Sequence, residues 1–254
     1  MAEPTGTIRS VERAMRVLAH FSAQQPQWTV SDLARATGVH KSVITRLLAT
    51  MARAGFMVQD PVSRAYRVGP KAFAVGSTYR PHAILSQIAE PVMRRVTDRC
   101  GHAASIGTPA GGKFVYLLVN ESKLPIRVVA NVGEERDYHA NATGKVLLAG
   151  MGDAEVRRLL GDGPLPRHTA HTITSAPALR AELDRVRRDG VAYNRQEAVL
   201  GVGAVAAPIV DGAGACVAGM SIVYPIHLVT DDEAREMESL VRAATSEISA
   251  ALSR

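Results

Sequence analysis

Apolar positions recur along this chain with two periods, and the change between them divides it. Between Ser10 and Ser22, Val11, Ala14, Met15, Leu18 and Phe21 follow helical spacing and predict a first helix with those residues inward. After a loop at 24–27, residues 29–54 read TVSDLARATGVHKSVITRLLATMARA. Ser31 is placed to cap a short helix, and Leu33 and Ala34 face inward. Gly38 supplies the turn, because glycine tolerates the left-handed backbone that ends a helix, and Val39 plugs the corner. Val43, Leu47, Leu48 and Met51 then share one face of a second helix, and Lys41, Ser42, Thr45 and Arg46 share the other. Phe56–Val58, a turn at Asp60-Pro61 and Ala65–Val68 predict strand, turn and strand, ending near Gly69-Pro70. That order describes a winged helix-turn-helix, with Arg64 and Arg67 on or near the wing.

Residues 71–80 predict a short linker helix whose Ala72, Phe73 and Val75 suit packing on another copy, with Pro81 as its breaker. Three regions result: a DNA-binding domain at 1–69, with residues 1–7 mobile, a linker at 70–81, and a second domain at 82–254. In the last, a helix runs from Ile84 to Cys100, kinked or broken at Pro91 and ended by Gly101. Strands are expected at 103–108, 113–120, 126–131, 191–196, 204–210 and 215–223, and helices at 142–150, 153–161 and 176–189. Thr230-Asp231-Asp232-Glu233 has the form of a capping box and opens a final helix to about Leu252. Helices mixed with antiparallel hairpins indicate an α+β ligand-binding module.

Charge sharpens the reading. The 254 residues carry a net charge of +6, yet residues 1–80 alone hold eleven Lys and Arg against four Asp and Glu, a local +7. A localised basic surface suits a polyanion, here double-stranded DNA, with Lys41, Ser42, Thr45 and Arg46 approaching bases or phosphates and Arg64 and Arg67 the backbone. Arg46 is the first choice for base readout, since arginine grips guanine through two hydrogen bonds. No run approaches the ~20 apolar residues of a membrane span, and no signal-peptide core opens the chain. Two cysteines, Cys100 and Cys216, make neither a zinc pattern nor a disulfide framework, so a cytoplasmic setting is expected.

Other signals carry less. Gly201-Val202-Gly203 lacks the strand–loop–helix context of a dinucleotide site and reads as close packing. His168 and His171 have HxxH spacing without a neighbouring acid or cysteine, and read as loop histidines and not a metal site. Glu182 and Asp184 among Arg180, Arg185, Arg187 and Arg188 read as a solvated helix face. Cys100 reads as a buried, inert thiol. No residues assemble a nucleophile, a base and an oxyanion site, so neither a catalytic residue nor a cofactor is expected. An enzyme acting on the ligand, and an interaction module that binds none, stand as the alternatives to a regulator.

The chain resembles the isocitrate-lyase-regulator (IclR) family of bacterial transcriptional regulators. The resemblance rests on SVERAMRVLAHF, DLARATGVHKSVITRLLATMARAGF, HANATGKVLLA and GVAYNRQEAVLGVGAVAAPIVDGAGACVAGMSIVYP, in that order. It implies a winged helix-turn-helix, a linker helix and a GAF-like effector domain. It also implies homodimers or homotetramers, palindromic promoter sites and a small organic acid as effector. It places the effector carboxylate on the backbone N–H groups of Ala142 and Thr143, an arrangement that a helix N-terminus favours; plain capping by Asn141 or Thr143 is the other account of that segment. It adds Asn194, Ala204, Ser221 and Val223 to the pocket. Against members that bind glyoxylate-like acids, Asn194 replaces an acid, Ala204 a cysteine and Val223 a serine, and only Ser221 keeps its hydroxyl. With fewer polar partners, a larger, partly apolar effector is expected, such as an aromatic acid or its amide or hydrazide.

Overall fold

The computed structural model describes residues 8–22, 25–76, 78 and 80–253, so the expected mobile start at 1–7 lies outside it. Two compact units divide the chain, Met1–Arg80 and Pro81–Arg254.

The first unit contains α1 (Arg9–Leu18), β1 (Gln27–Trp28), α2 (Val30–Thr37), α3 (Lys41–Arg53), β2 (Met57–Gln59), β3 (Tyr66–Val68) and α4 (Pro70–Gly76). Its core is Val17, Leu33, Ile44, Leu48, Met57 and Tyr66. Gly38 adopts φ 69° and ends α2, as the turn requires. Thr29, not Ser31, caps α2: its Oγ1 accepts the Asp32 N–H at 3.2 Å and donates to the Asp32 carboxylate at 2.7 Å. On α3 the buried pair is Ile44 and Leu48, with Val43, Leu47 and Met51 half-buried beside them. On α1 the expected inward set is partly wrong. Val17, Leu18 and Phe21 pack in the core, whereas Val11 and Met15 are 50% and 58% exposed. The helix has two apolar edges, and only one meets this core. The expected loop at 24–27 runs at Gln27 into β1, a strand not foreseen, which pairs Trp28 with Tyr66 and completes a sheet of order β1-β3-β2. The Trp28 indole N–H fixes it by donating to the His20 carbonyl at 3.0 Å.

The second unit is built on a six-stranded antiparallel sheet of order β6-β5-β4-β9-β8-β7. Its strands are β4 (Ala103–Ala110), β5 (Lys113–Asn120), β6 (Glu135–Arg136), β7 (Ala192–Arg195), β8 (Val202–Val210) and β9 (Cys216–Pro225). The helices are α5 (Arg80–Cys100), α6 (Ala142–Ala149), α7 (Asp153–Leu160), α8 (Ala176–Asp189) and α9 (Asp231–Leu252). One core joins Ala89, Val92, Met93 and Val96 of α5 and Met237, Val241 and Ile248 of α9 to the sheet through Ile106, Val205, Met220 and Ile222. Leu147 and Leu148 of α6 meet Leu179 and Leu183 of α8 and Phe114 of the sheet in another. With helices on both faces, β8 and β9 are buried continuously, which is why they read as unbroken apolar runs in the sequence.

Three expectations are corrected or narrowed here. Pro81 lies in the first turn of α5, where its missing N–H costs no helical hydrogen bond, so it opens this helix; α4 has already ended at Gly76. Of the two outcomes expected at Pro91, a kink or a break, the break does not occur: α5 runs through it, with buried Ala89, Val92 and Met93 packed in the core around it. Residues 126–131 are irregular, and the edge strand is β6. A turn delays the pairing: Glu134 accepts from the Asn131 N–H at 3.2 Å and donates its own N–H to the Asn131 carbonyl at 3.1 Å. The capping box at α9 is present, with Thr230 and Glu233 each accepting the other's backbone N–H.

Candidate nucleic-acid interface and ligand cavity

The polar face of α3 presents Lys41, Ser42, Thr45 and Arg46, all exposed. Thr45 donates its hydroxyl to the Lys41 carbonyl at 2.9 Å, which leaves its oxygen as an acceptor. Ser42 lies 2.9 Å from His40 Nδ1. Arg64 and Arg67 are exposed on the wing. The wing tip is held by Asp60, whose carboxylate accepts the N–H groups of Val62 and Ser63 at 3.0 and 2.7 Å and the Ser63 hydroxyl at 2.9 Å. These bonds, the Ser63 N–H foremost, keep the Asp60 carboxyl below its ordinary range. Arg64 closes the turn in left-handed backbone, φ 58°, a conformation that costs a non-glycine residue about 1–3 kcal/mol. Arg67 lies close enough to the Asp60 carboxylate to act on it as a nearby positive charge.

In the second unit, a cavity of about 190 Å³ is bordered by Ala142, Thr143, Asn194, Ala204, Ser221 and Val223, the six positions singled out in the sequence. α6 begins at its wall. Asn141 makes no side-chain cap and donates instead to the Asp137 carbonyl at 2.9 Å, while Thr143 donates to Ser221 Oγ at 3.0 Å. Capping by either residue is therefore excluded, and the N–H groups of Ala142 and Thr143 carry no hydrogen bond among the described residues. Gly144 makes this placement possible, because a Cβ there would lie 2.2 Å from the Tyr138 carbonyl oxygen. Ser221 is less available than its hydroxyl suggested. It accepts from Thr143 and lies 2.9 Å from Ser105 Oγ, in a buried hydroxyl chain. Asn194 accepts the Glu197 N–H at 2.8 Å, leaving its amide N–H groups as donors.

Three contributors were not foreseen. Tyr116 lines the cavity, and burial pushes its hydroxyl up to about 12, so it stays protonated and can donate. Arg136 of β6 is the one charged side chain among the lining residues. Lys145, one turn into α6, is 1% exposed and holds both oxygens of Glu197 at 2.7 and 2.9 Å and Glu182 at 3.1 Å. Glu182 thus belongs to a half-buried cluster, not to a solvated face. Burial opposes its charge, but hydrogen bonds from Arg185 and Lys145 outweigh that and hold its carboxyl low. His168 does have an acid beside it: Asp137 lies 2.9 Å from its Nε2, and His139 stacks on its ring. Gly203 lies under the Tyr224 ring within β8, the close packing expected of that glycine. Burial raises the Cys100 and Cys216 thiols, the latter to about 11, and leaves both inert near neutral pH.

A winged helix-turn-helix and an α+β unit with a donor-lined cavity, carried in one chain, define a ligand-responsive DNA-binding regulator. The chain belongs to the IclR family of bacterial transcriptional regulators. The IclR helix-turn-helix domain matches residues 10–61, and the family's C-terminal domain matches residues 78–250. The chain is 32% identical to the HTH-type transcriptional regulator BhcR of Paracoccus denitrificans, over 98% of its length and 88% of the relative's. It is 30% identical to the HTH-type transcriptional repressor AllR of Salmonella typhi, over 99% of its length and 93% of the relative's. Its fold is that of an IclR homologue from Microbacterium hydrocarbonoxydans solved with 4-hydroxybenzoate, with a TM-score of 0.81 at 24% identity over 96% of this chain and 98% of that one. Among the described residues no helix is long and apolar enough to cross a membrane.

Proposed function

We propose that the chain is a repressor without catalytic activity that acts in the cytoplasm as a homodimer or homotetramer. Residues 1–69 bind palindromic DNA through Lys41, Ser42, Thr45 and Arg46 in the major groove and through Arg64 and Arg67 on the backbone. Residues 70–81 link this head to the effector domain, 82–254. There a carboxylate is held by the amides of Ala142 and Thr143, and the effector body lies against Ala204 and Val223, near Asn194 and Ser221.

One observation carries the effector reading: two backbone N–H groups without partners open α6 onto a cavity bordered by no carboxylate. An engineered cavity of ~150 Å³ accepts benzene, so one of about 190 Å³ has room for an aromatic ring bearing an acid. The complex of the Microbacterium homologue with 4-hydroxybenzoate supports the same class.

A thermal-shift titration tests it with aliphatic acids, aromatic acids and aromatic amides, since a ligand that binds only the folded state raises its Tm. Aromatic acids are expected to give the largest saturable shift. A larger shift with glyoxylate or pyruvate would overturn the aromatic assignment, and no shift from any compound would favour an interaction module that takes no ligand.

A further inference from the structure

The cavity has a second positive feature besides the start of α6. Arg136 belongs to the two-residue edge strand β6, which pairs it with Phe114, and its side chain borders the same cavity as Ala142 and Thr143. It acts on the buried Tyr116 hydroxyl in the cavity wall as a nearby positive charge, with its partner Glu134 acting there as a weaker, opposing negative one. Its ion pair is with Glu134, Nη2 to Oε1 at 2.6 Å, but Glu134 is not a lining residue and is held by the Asn131 amide. That single contact leaves other donors of the five-donor guanidinium for a ligand. The same cavity also has apolar wall residues, among them Val128, Val129, Ala204 and Val223. Asn194 contributes a neutral amide, and no lining side chain is negative.

From this layout we infer that the effector is a two-headed anion. This inference rests on the carboxylate site proposed above. One carboxylate takes the Ala142 and Thr143 amides, and a second acidic group, a carboxylate or a phenolate, takes Arg136. Arg136 is the residue that selects diacids over monoacids of the same skeleton, because only a second negative group gains the charge-assisted hydrogen bonds it offers. A monoacid leaves the guanidinium with Glu134 alone.

The test uses calorimetry on the full-length protein with matched pairs, benzoate against terephthalate and isophthalate, and hexanoate against adipate. In the unaltered protein the better diacid is expected to bind at least tenfold tighter than its monoacid. Arg136→Leu should abolish that preference, bringing the diacid affinity down to that of its monoacid, and Arg136→Lys should keep part of it. Arg136→Gln stands in should the leucine variant not fold. Glu134→Gln should strengthen diacid binding. An equal diacid-to-monoacid ratio in the unaltered protein and in the Arg136→Leu and Arg136→Gln variants would overturn the inference while monoacid binding kept the carboxylate site intact. Failure of every acid, mono or di, to bind would overturn both.

Discussion

Lys145 Nζ stands 2.7 and 2.9 Å from the two carboxylate oxygens of Glu197, with the lysine 1% exposed and the glutamate buried beside it. The pair joins α6, whose first residues border the cavity, to the segment between β7 and β8 that contributes Ala198 and Val199 to the same wall. The Glu197 carbonyl is further held by the Thr172 hydroxyl at 2.7 Å, and the Gln196 carbonyl by Thr169 at 2.7 Å.

Removing one partner strands a buried charge, which costs about 3–5 kcal/mol, whereas replacing both with apolar residues costs far less. Lys145→Met is therefore expected to lower unfolding stability by about that amount, and Lys145→Met with Glu197→Leu to recover most of it. Urea denaturation decides; a single variant as stable as the parent would contradict the account.

The wing makes a prediction about acid. The Asp60 pKa is lowered in the folded chain, so its contribution is present above the ordinary carboxylate range and is lost as pH falls through the lowered value. Following the backbone amide signals of Val62 and Ser63 by NMR, the turn should persist below the pKa of about 3.9 usual for aspartate and then melt. Asp60→Ala should loosen it at neutral pH.

Arg64 allows stability and the proposed DNA contact to be tested apart. Glycine accommodates the φ of 58° without strain, so Arg64→Gly should leave the Tm no lower than that of the parent. It should weaken operator binding and reduce the slope of log K against log salt by roughly one per head. A fall in Tm with unchanged DNA affinity would show that Arg64 serves the fold.

The cavity walls make a prediction about effector size. Restoring polar partners with Ala204→Cys and Val223→Ser should raise affinity for glyoxylate by tenfold or more, since a buried polar atom left unpaired costs about 1–3 kcal/mol. Calorimetry on the double variant reads this directly, and an unchanged glyoxylate affinity would show that the backbone amides dominate recognition.

Much of the fold was legible because the signals were local. Gly38 before Lys41, the capping box at Thr230 and Glu233, and the apolar runs of β8 and β9 each act within a few residues. What was missed or left open came from long-range packing. β1 exists because β3 offers it an edge, and Pro91 stays helical because the sheet holds its neighbours. Helical spacing alone does not tell which of the two apolar edges of α1 meets the core. The same limit hid part of the cavity. HANATGK pointed to the α6 amides, but Arg136 and Tyr116 arrive from strands and carry no motif. A lysine within a helix gives no sign that Glu197, distant in sequence, will bury it.

The central claim is that DNA and effector act on one equilibrium, and anisotropy of a fluorescent duplex from the chain's own promoter tests it most directly. Affinity measured with and without a saturating aromatic acid or diacid identified by calorimetry should differ at least fivefold, and the duplex should change the acid's affinity by the same factor, as linkage requires. Tight binding of both with no mutual effect would contradict a ligand-responsive regulator.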